Sequence, residues 1–265
     1  MIGLTVLGSG SQGNALVLHN DKESVLIDAG FSFRELRRRL EAAEIAEDTI
    51  RAVVISHEHT DHVKGLDVLK RRWDLPIYCS RLTGETLRQR GNDLGELNIF
   101  SPGARFTIGD FQIDAFSIPH DAIDPVGFSV QSNGSKAAIA TDLGHASKLV
   151  SHHLAESDIL VLESNHDKAL LQDSKRPWSV KQRIMSRHGH LSNDATMSLL
   201  NETLNPRTRH VLLAHASKDC NRYELIEDTM TGFLEDVGRE DIELQVARQE
   251  EGLKTVWAEN GSGGV

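Results

Sequence analysis

The sequence has little cysteine and no long apolar run, and each shortage excludes a class of protein. Its two cysteines, Cys79 and Cys220, lie far apart without CxxC spacing, so neither a disulfide framework nor a thiolate zinc site is expected. No stretch approaches the roughly 20 apolar residues of a membrane span, and the opening residues lack the charged and cleavable pattern of an export signal. We therefore expect no membrane partner and a cytoplasmic location.

An excess of basic residues is also lacking, since the formal net charge is −10. Such a surface argues against wrapping of nucleic acid by the whole protein, because phosphate neutralisation needs clustered lysine and arginine. One local basic spread runs into the stretch "RHGHLSN", and we interpret it as a guide for a nucleic acid strand. Its members are Lys175, Arg176, Lys181, Arg183 and Arg187.

Short β-branched runs alternate with helical patterns, which predicts an α/β chain. Twelve such runs, from "GLTVLG" to "KTVWAE", are predicted strands. The predicted helices cover 32–44, 63–73, 81–90, 166–171, 192–204 and 221–237. Because no repeat or linker divides the chain, we expect a single domain over 1–259 and a flexible tail over 260–265.

Nearly every candidate metal ligand comes directly after an apolar strand. The stretch "SHEHTDH" follows "AVVI", and its histidines and acids are costly near a core unless a cation compensates their lone pairs and charges. Strand ends in α/β sheets converge on one edge, so ligands far apart in sequence can meet there. The candidate ligands are His57, His59, Asp61, His62, His120, Asp142 and His215.

The spacing of these residues predicts two ion sites. An extended two-residue step puts the imidazoles of His57 and His59 on one side, where His120 would complete a three-histidine site. The second site would comprise Asp61, His62 and His215, with Asp142 as a bridge between the two ions. Imidazole and carboxylate ligands together suit zinc or manganese, with iron as a third option.

These landmarks resemble the metallo-β-lactamase superfamily of binuclear metallohydrolases. "LIDAG", "HEHTDH", "IPH", "ATDLG" and "LLAHAS" occur in the order typical of that superfamily. The resemblance implies an αββα sandwich, with two facing mixed β-sheets, outer helices and the metals at one edge. It also implies that Asp28, in "LIDAG", orients the histidine loop without binding metal itself.

Further segments are similar to the YycJ/WalJ group, whose members are regarded as 5′→3′ DNA exonucleases. These are "LGSGSQGN", "LESNHDKALL" and "GHLSN" ahead of "LAHASKDCN". His190 in "GHLS" is similar to a histidine element of ribonuclease Z that acts near the scissile phosphate. The resemblance implies a nucleic acid substrate, with DNA favoured over RNA. A hydroxide bridging two divalent metal ions would be the nucleophile, Asp61 a proton acceptor and His190 the proton donor to the leaving oxygen.

Other polar residues crowd the same strand ends. We expect Asp121, His166 and Asp167 to support the ligands by hydrogen bonding. We expect the same support from Glu163 and Asn165, which crowd one strand end together with His166 and Asp167.

Two other functions stay open at this point. One is a small-molecule hydrolase of the same fold, acting on a cyclic phosphodiester, lactone or thioester, and the other is a non-catalytic metal-binding module. A lactamase-type substrate is disfavoured because the third histidine stands in "IPHDAIDPVGFSV" rather than in a "GHTPG"-like context. The sequence leaves the oligomeric state open.

Overall fold

Two seven-stranded β-sheets make up the centre of the computed structural model, which describes residues 1–258. The first sheet has the spatial order β14 (Val256–Ala258), β1 (Ile2–Gly8), β2 (Ala15–His19), β3 (Ser24–Ile27), β4 (Ile50–Val54), β5 (Ile77–Ser80) and β6 (Leu97–Phe100). The second has the order β13 (Glu243–Val246), β12 (His210–Ala214), β11 (Ile159–Glu163), β10 (Ser135–Ala140), β9 (Val126–Ser132), β8 (Phe111–Ser117) and β7 (Arg105–Ile108).

Both sheets are mixed and share one pairing pattern. The first is antiparallel from β14 to β3 and parallel from β3 to β6. The second is antiparallel from β7 to β10 and parallel from β10 to β13. In parallel neighbours the carboxyl ends lie side by side, so the residues that follow β3 and β4, and those that follow β10, β11 and β12, are brought to one edge of each sheet.

The main core lies between the sheets, where side chains such as Leu4 and Val54 of the first meet Phe111, Phe128 and Val161 of the second. Helices cover the two outer faces, which explains why several strands are apolar on both sides. The helices are α1 (Phe33–Ala42), α2 (Thr60–Val63), α3 (Leu66–Trp73), α4 (Arg81–Gln89), α5 (Lys148–Leu154), α6 (Lys168–Asp173), α7 (Trp178–Ile184), α8 (Asn193–Thr203) and α9 (Tyr223–Asp236). Apolar residues of α1, α3 and α4 pack on the first sheet, and those of α5, α8 and α9 pack on the second.

The predicted αββα sandwich is confirmed, and all twelve predicted strands are present. The structure adds β7, β13, α5, α7 and most of α2, which were not predicted. The predicted helix over 63–73 is interrupted at Gly65, where a Cβ atom would lie 2.0 Å from the carbonyl oxygen of Phe31. The predicted tail over 260–265 lies outside the described residues, and the single-domain extent stays a prediction.

Within residues 1–258, none of the helices combines the length and the apolar character needed to cross a bilayer.

Candidate active site

Three site residues follow strands in the left-handed backbone conformation. Asp28 has a φ of 61°, and Asp142 and His215 each have a φ of 56°. This region is sparsely populated by residues other than glycine, and holding a side chain there costs on the order of 1–3 kcal/mol. Three such residues at the strand ends that border the site, one from the first sheet and two from the second, indicate that the surrounding structure fixes their positions for a purpose beyond stability.

The histidine loop between β4 and α2 is anchored by Asp28. Its Oδ2 lies 2.7 Å from Nδ1 of the buried His62, and its Oδ1 accepts a 2.8 Å hydrogen bond from the backbone N–H of Ser56. The hydroxyl of Ser56 donates to Oδ2 at 2.7 Å. These contacts fix the ring of His62 and leave its Nε2 facing the ligand cluster, which is the geometry expected of an orienting residue.

The predicted three-histidine set comes together. Candidate ligand atoms of His57, His59 and His120 all lie within 4.8 Å of one another. Nδ1 of His59 is 3.3 Å from Nε2 of His120. The loop after β4 supplies two of these rings and the loop after β8 supplies the third.

The second predicted set also comes together, with ligand atoms of Asp61, His62 and His215 within 4.8 Å of one another. Asp142 lies between the two sets. Its Oδ2 is 3.2 Å from Nε2 of His62, and its Oδ1 is 3.4 Å from Nε2 of His215 and 3.8 Å from Nε2 of His120. A carboxylate in this position can contact ions held by either set.

Glu163, the last residue of β11, links two histidines of the site. Its fully buried Oε1 lies 2.7 Å from Nδ1 of His190 and 2.8 Å from Nδ1 of His215. Its Oε2 accepts hydrogen bonds from the backbone N–H groups of Leu143 and Leu191. Glu163 therefore sets the orientation of both rings, and the sequence prediction had not singled it out from its neighbours.

The donor set fits divalent cations. In the described part of the chain, the buried Nε2 atoms of His57 and His215 have no hydrogen-bond partner. An unsatisfied buried group of this kind costs about 1–3 kcal/mol, which coordination of a cation would offset. Burial, helped by the charge of His62, holds the pKa of His57 well below its usual value, so this ring is neutral and can bind metal.

The carboxylates hold the other rings protonated when metal is absent. Burial opposes the charge on His62, but Asp28 and Asp142 raise its pKa to about 10. Burial likewise opposes the charge on His215, and Asp142, Asp61 and Glu163 raise its pKa well above the usual value. Cations bound here would displace these protons, so the same carboxylates would then neutralise the ions.

The predicted supporting residues occupy three different environments. Asp121 has Oδ1 3.3 Å from Nε2 of His120 and accepts a hydrogen bond from Arg183 through Oδ2. His166 is buried and lines a cavity that it shares with His190. Asp167 caps α6 by accepting a 2.8 Å hydrogen bond from the backbone N–H of Leu170, and its support of a ligand stays a prediction.

Sequence reasoning missed Asn14. Its Nδ2 lies 3.2 Å from Oδ2 of Asp61 and 3.1 Å from Nε2 of His62, while its Oδ1 accepts a hydrogen bond from the hydroxyl of Ser9. The Ser9 hydroxyl in turn accepts from the backbone N–H of His215 at 2.9 Å. The one signal in the sequence was an amide that closes the glycine-rich turn "GSGSQGN" beside a strand end.

Three residues of the basic spread bind other groups of the protein. Arg176 pairs with Asp219 at 2.7 Å and Arg183 pairs with Asp121. The Nζ of Lys181 donates to the carbonyl oxygen of Gln172. The interpretation of this spread as a strand guide therefore requires some of these partners to be exchanged for phosphate.

Comparison with known proteins identifies the superfamily to which the chain belongs. Residues 23–216 match the family model described as a β-lactamase superfamily domain. The crystal structure of the metallo-β-lactamase fold protein YhfI from Bacillus subtilis superimposes with a TM-score of 0.71 at 16% identity, covering 95% of this chain and 98% of that one. The chain belongs to the metallo-β-lactamase superfamily, and it is a metal-dependent hydrolase.

Two curated relatives place it more narrowly. It is 34% identical to exodeoxyribonuclease YycJ of Bacillus anthracis over 236 residues, which cover 88% of this chain and 89% of the relative. It is 32% identical to exodeoxyribonuclease WalJ of Streptococcus pneumoniae over 234 residues, or 87% of each chain. Within the superfamily, the chain groups with these YycJ and WalJ proteins.

Proposed function

We propose that the protein is a binuclear phosphodiester hydrolase that degrades DNA as an exonuclease, in the 5′→3′ direction and in the cytoplasm. The observation that carries the proposal is the position of His190, a polarised histidine at the edge of an assembled set of metal ligands. The names of the YycJ and WalJ relatives support a DNA substrate. The direction of digestion follows from the resemblance of the sequence to that group.

Two divalent ions, zinc or manganese, would be held by the residues that the structure brings together. His57, His59 and His120 would hold one, Asp61, His62 and His215 the other, and Asp142 would contact both. When bound, such ions lower the pKa of water from 15.7 to about 7 and thus supply hydroxide as the nucleophile at neutral pH.

Side chains of the protein would carry out the two proton transfers of the reaction. Nδ1 of His190 is hydrogen-bonded to Glu163, so Nε2 is the ring nitrogen that would contact a substrate. Burial lowers the pKa of His190, but the Glu163 carboxylate outweighs burial and raises that pKa above its usual value. The raised pKa keeps the ring protonated to a higher pH than a free imidazole, and a protonated ring would donate its proton to the leaving oxygen. Asp61, whose side chain is partly exposed at the site, would accept the proton of the attacking water.

We expect the phosphate groups of the substrate to bind beside His190. A cavity of about 140 Å³ is lined by Arg176 and Arg183 together with the hydroxyls of Ser11 and Ser217, and it reaches His190. Arginine forks and hydroxyls are the side chains that bind phosphate oxygens. The exposed ion pairs that now engage both arginines are worth little, so a phosphate can replace the carboxylates.

The direct test is digestion of single-stranded and duplex DNA labelled at either end, in the presence of Zn²⁺ or Mn²⁺. We expect progressive release of nucleotides from the 5′ end. His59→Ala and Asp142→Ala should lose both metal, measured by elemental analysis, and turnover.

His152→Ala, which removes an exposed histidine of α5, is the matched control and should keep both properties. Full activity of His59→Ala or Asp142→Ala after chelation would overturn the metal assignment. Hydrolysis of a lactone, thioester or cyclic phosphodiester with DNA left intact would instead favour the small-molecule hydrolase.

A further inference from the structure

A second cavity, of about 440 Å³, adjoins the ligand cluster and shares the side chain of His190 with it. Its walls include Trp178, Met185, Leu191 and Ala195. Trp178 is 62% exposed and Met185 is 49% exposed, although both are large and apolar. Large apolar side chains left exposed around a concavity beside catalytic groups mark a binding site for an apolar group, and the volume is in the range of small-molecule sites.

His166 gives this cavity a polar contact. The residue is 2% exposed and lines the cavity, and its Nδ1 has no hydrogen-bond partner among residues 1–258. Burial lowers the pKa of His166 to about 4, so the ring is neutral and offers one donor and one acceptor. The cavity is also lined by Lys168, Gln172 and Ser192, but its exposed wall is mostly apolar. A buried ring nitrogen without a partner beside such a wall indicates an occupant with both a flat apolar face and a polar edge.

The segment around α7 separates the two cavities. Arg176 and Arg183 line the smaller cavity, whereas Trp178 and Met185 line the larger one. His190 borders both. A nucleotide presents the same division, with charged phosphate oxygens on one side and a planar base on the other.

We propose that the larger cavity binds the nucleobase on the leaving-group side of the scissile phosphate, with Trp178 stacked on its face and His166 hydrogen-bonded to its edge. The inference rests on the proposed nuclease function. The side is assigned through His190, because the residue that protonates the leaving oxygen also lines this cavity. Stacking accepts any base, whereas the His166 contact distinguishes among them.

The first test compares DNA substrates that carry an abasic residue on either side of the scissile phosphate. Trp178→Ala should lower kcat/KM roughly 5- to 150-fold on normal DNA, the range expected for loss of one base stack. On DNA that is abasic on the leaving-group side, the variant and the natural protein should be equal. Leu82→Ala, which truncates an exposed apolar residue of α4, is the control and should behave as the natural protein on both substrates.

His166→Leu addresses the edge contact. It should keep its metal content and change the ratio of kcat/KM values among the four bases at the leaving-group position. An unchanged ratio would overturn the assignment of His166. Equal activity of Trp178→Ala and the natural protein on normal DNA would overturn the base site and leave the nuclease function standing.

A binding measurement separates the two proposals. The chain has three tryptophans, so the double variant Trp73→Phe and Trp257→Phe leaves Trp178 as the sole indole fluorophore. We expect 2′-deoxyadenosine 5′-monophosphate to quench its emission and 2-deoxyribose 5-phosphate to leave it unchanged. Quenching by the nucleotide with no cleavage of DNA would support the cavity and overturn the nuclease. Equal effects of the two ligands would overturn the cavity.

Discussion

Glu163 shows at the residue scale how one carboxylate can serve two histidines. It ends an apolar strand and accepts from Nδ1 of both His190 and His215. The candidate ligands could be predicted because each stands in a short segment that follows an apolar strand. The partnership of Glu163 with two histidines could not, because His190 and His215 lie 27 and 52 residues away and only the fold sets their directions.

Glu163→Gln should lower the stability of the metal-free protein in a pH-dependent way. Burial alone would raise the pKa of Glu163, but His190 and His215 lower it from 4.5 to about 2. Because the folded-state pKa is depressed, the stabilisation is complete above pH 4.5 and is lost as the pH falls towards 2. At pH 7 we expect a loss of about 1.5–3 kcal/mol, as for hydrogen bonds to charged groups.

Denaturant unfolding between pH 7 and pH 2.5 measures this difference. The difference in stability between the two proteins should shrink as the pH falls from 4.5 to 2.5. A difference that stays constant across the range would show that the charge of Glu163 is not the stabilising feature.

His190→Ala separates proton donation from metal binding. If the ring donates a proton, we expect turnover to fall by about 10²–10⁴-fold while metal content stays near normal. The geometry also allows His190 to be a metal ligand, because ligand atoms of His190, Asp142, Glu163 and His215 lie within 4.8 Å of one another. Elemental analysis alongside single-turnover kinetics decides the matter, and loss of one metal would make His190 a ligand.

At the scale of the element, the strands that precede the site could be predicted, whereas the two edge strands of the second sheet could not. The strands before the site have strong apolar runs and are mostly buried. By contrast, β7 and β13 lie at the edge of the second sheet, and each has a single buried residue, Ile108 and Val246. α7 carries one buried residue, Lys181, and so has no apolar face for a periodic pattern to reveal.

Substitution of Asp167 distinguishes a residue that stabilises helix α6 from one that supports the metal ligands. Asp167→Ala removes the N-cap of α6 and should lower the free energy of unfolding by about 0.5–2 kcal/mol. Ser32→Ala is the matched control, because Ser32 caps α1 by accepting from the backbone N–H of Glu35. If Asp167 acts only as a cap, both variants keep metal content and turnover. Loss of metal from Asp167→Ala alone would restore its predicted role beside the ligands.

For the whole molecule, a net charge of −10 disfavours the binding of DNA that we propose. The arginines that line the smaller cavity supply positive charge locally, and they were predicted as part of the basic spread. What the sequence could not show is that Asp219 and Asp121 pair with them, because those pairs join residues 43 and 62 positions apart. The proposed binding of DNA would have to displace these two carboxylates, and each phosphate contact formed in their place would make the affinity fall with salt.

Salt should therefore weaken DNA binding steeply and leave a small ester almost unaffected. Each phosphate contact contributes a slope of about −0.9 in log affinity against log salt for duplex DNA and about −0.7 for single strands. Arg176→Ala combined with Arg183→Ala should reduce that slope by about one unit per lost contact. Arg105→Ala removes an arginine of the edge strand β7 that pairs with Asp114 of β8, and it is the matched control. Fluorescence anisotropy of labelled DNA between 50 and 200 mM salt, about the span over which such slopes are measured, gives the comparison. A slope unchanged in the double variant would mean that the phosphates lie elsewhere, and the strand path along the smaller cavity would have to be abandoned.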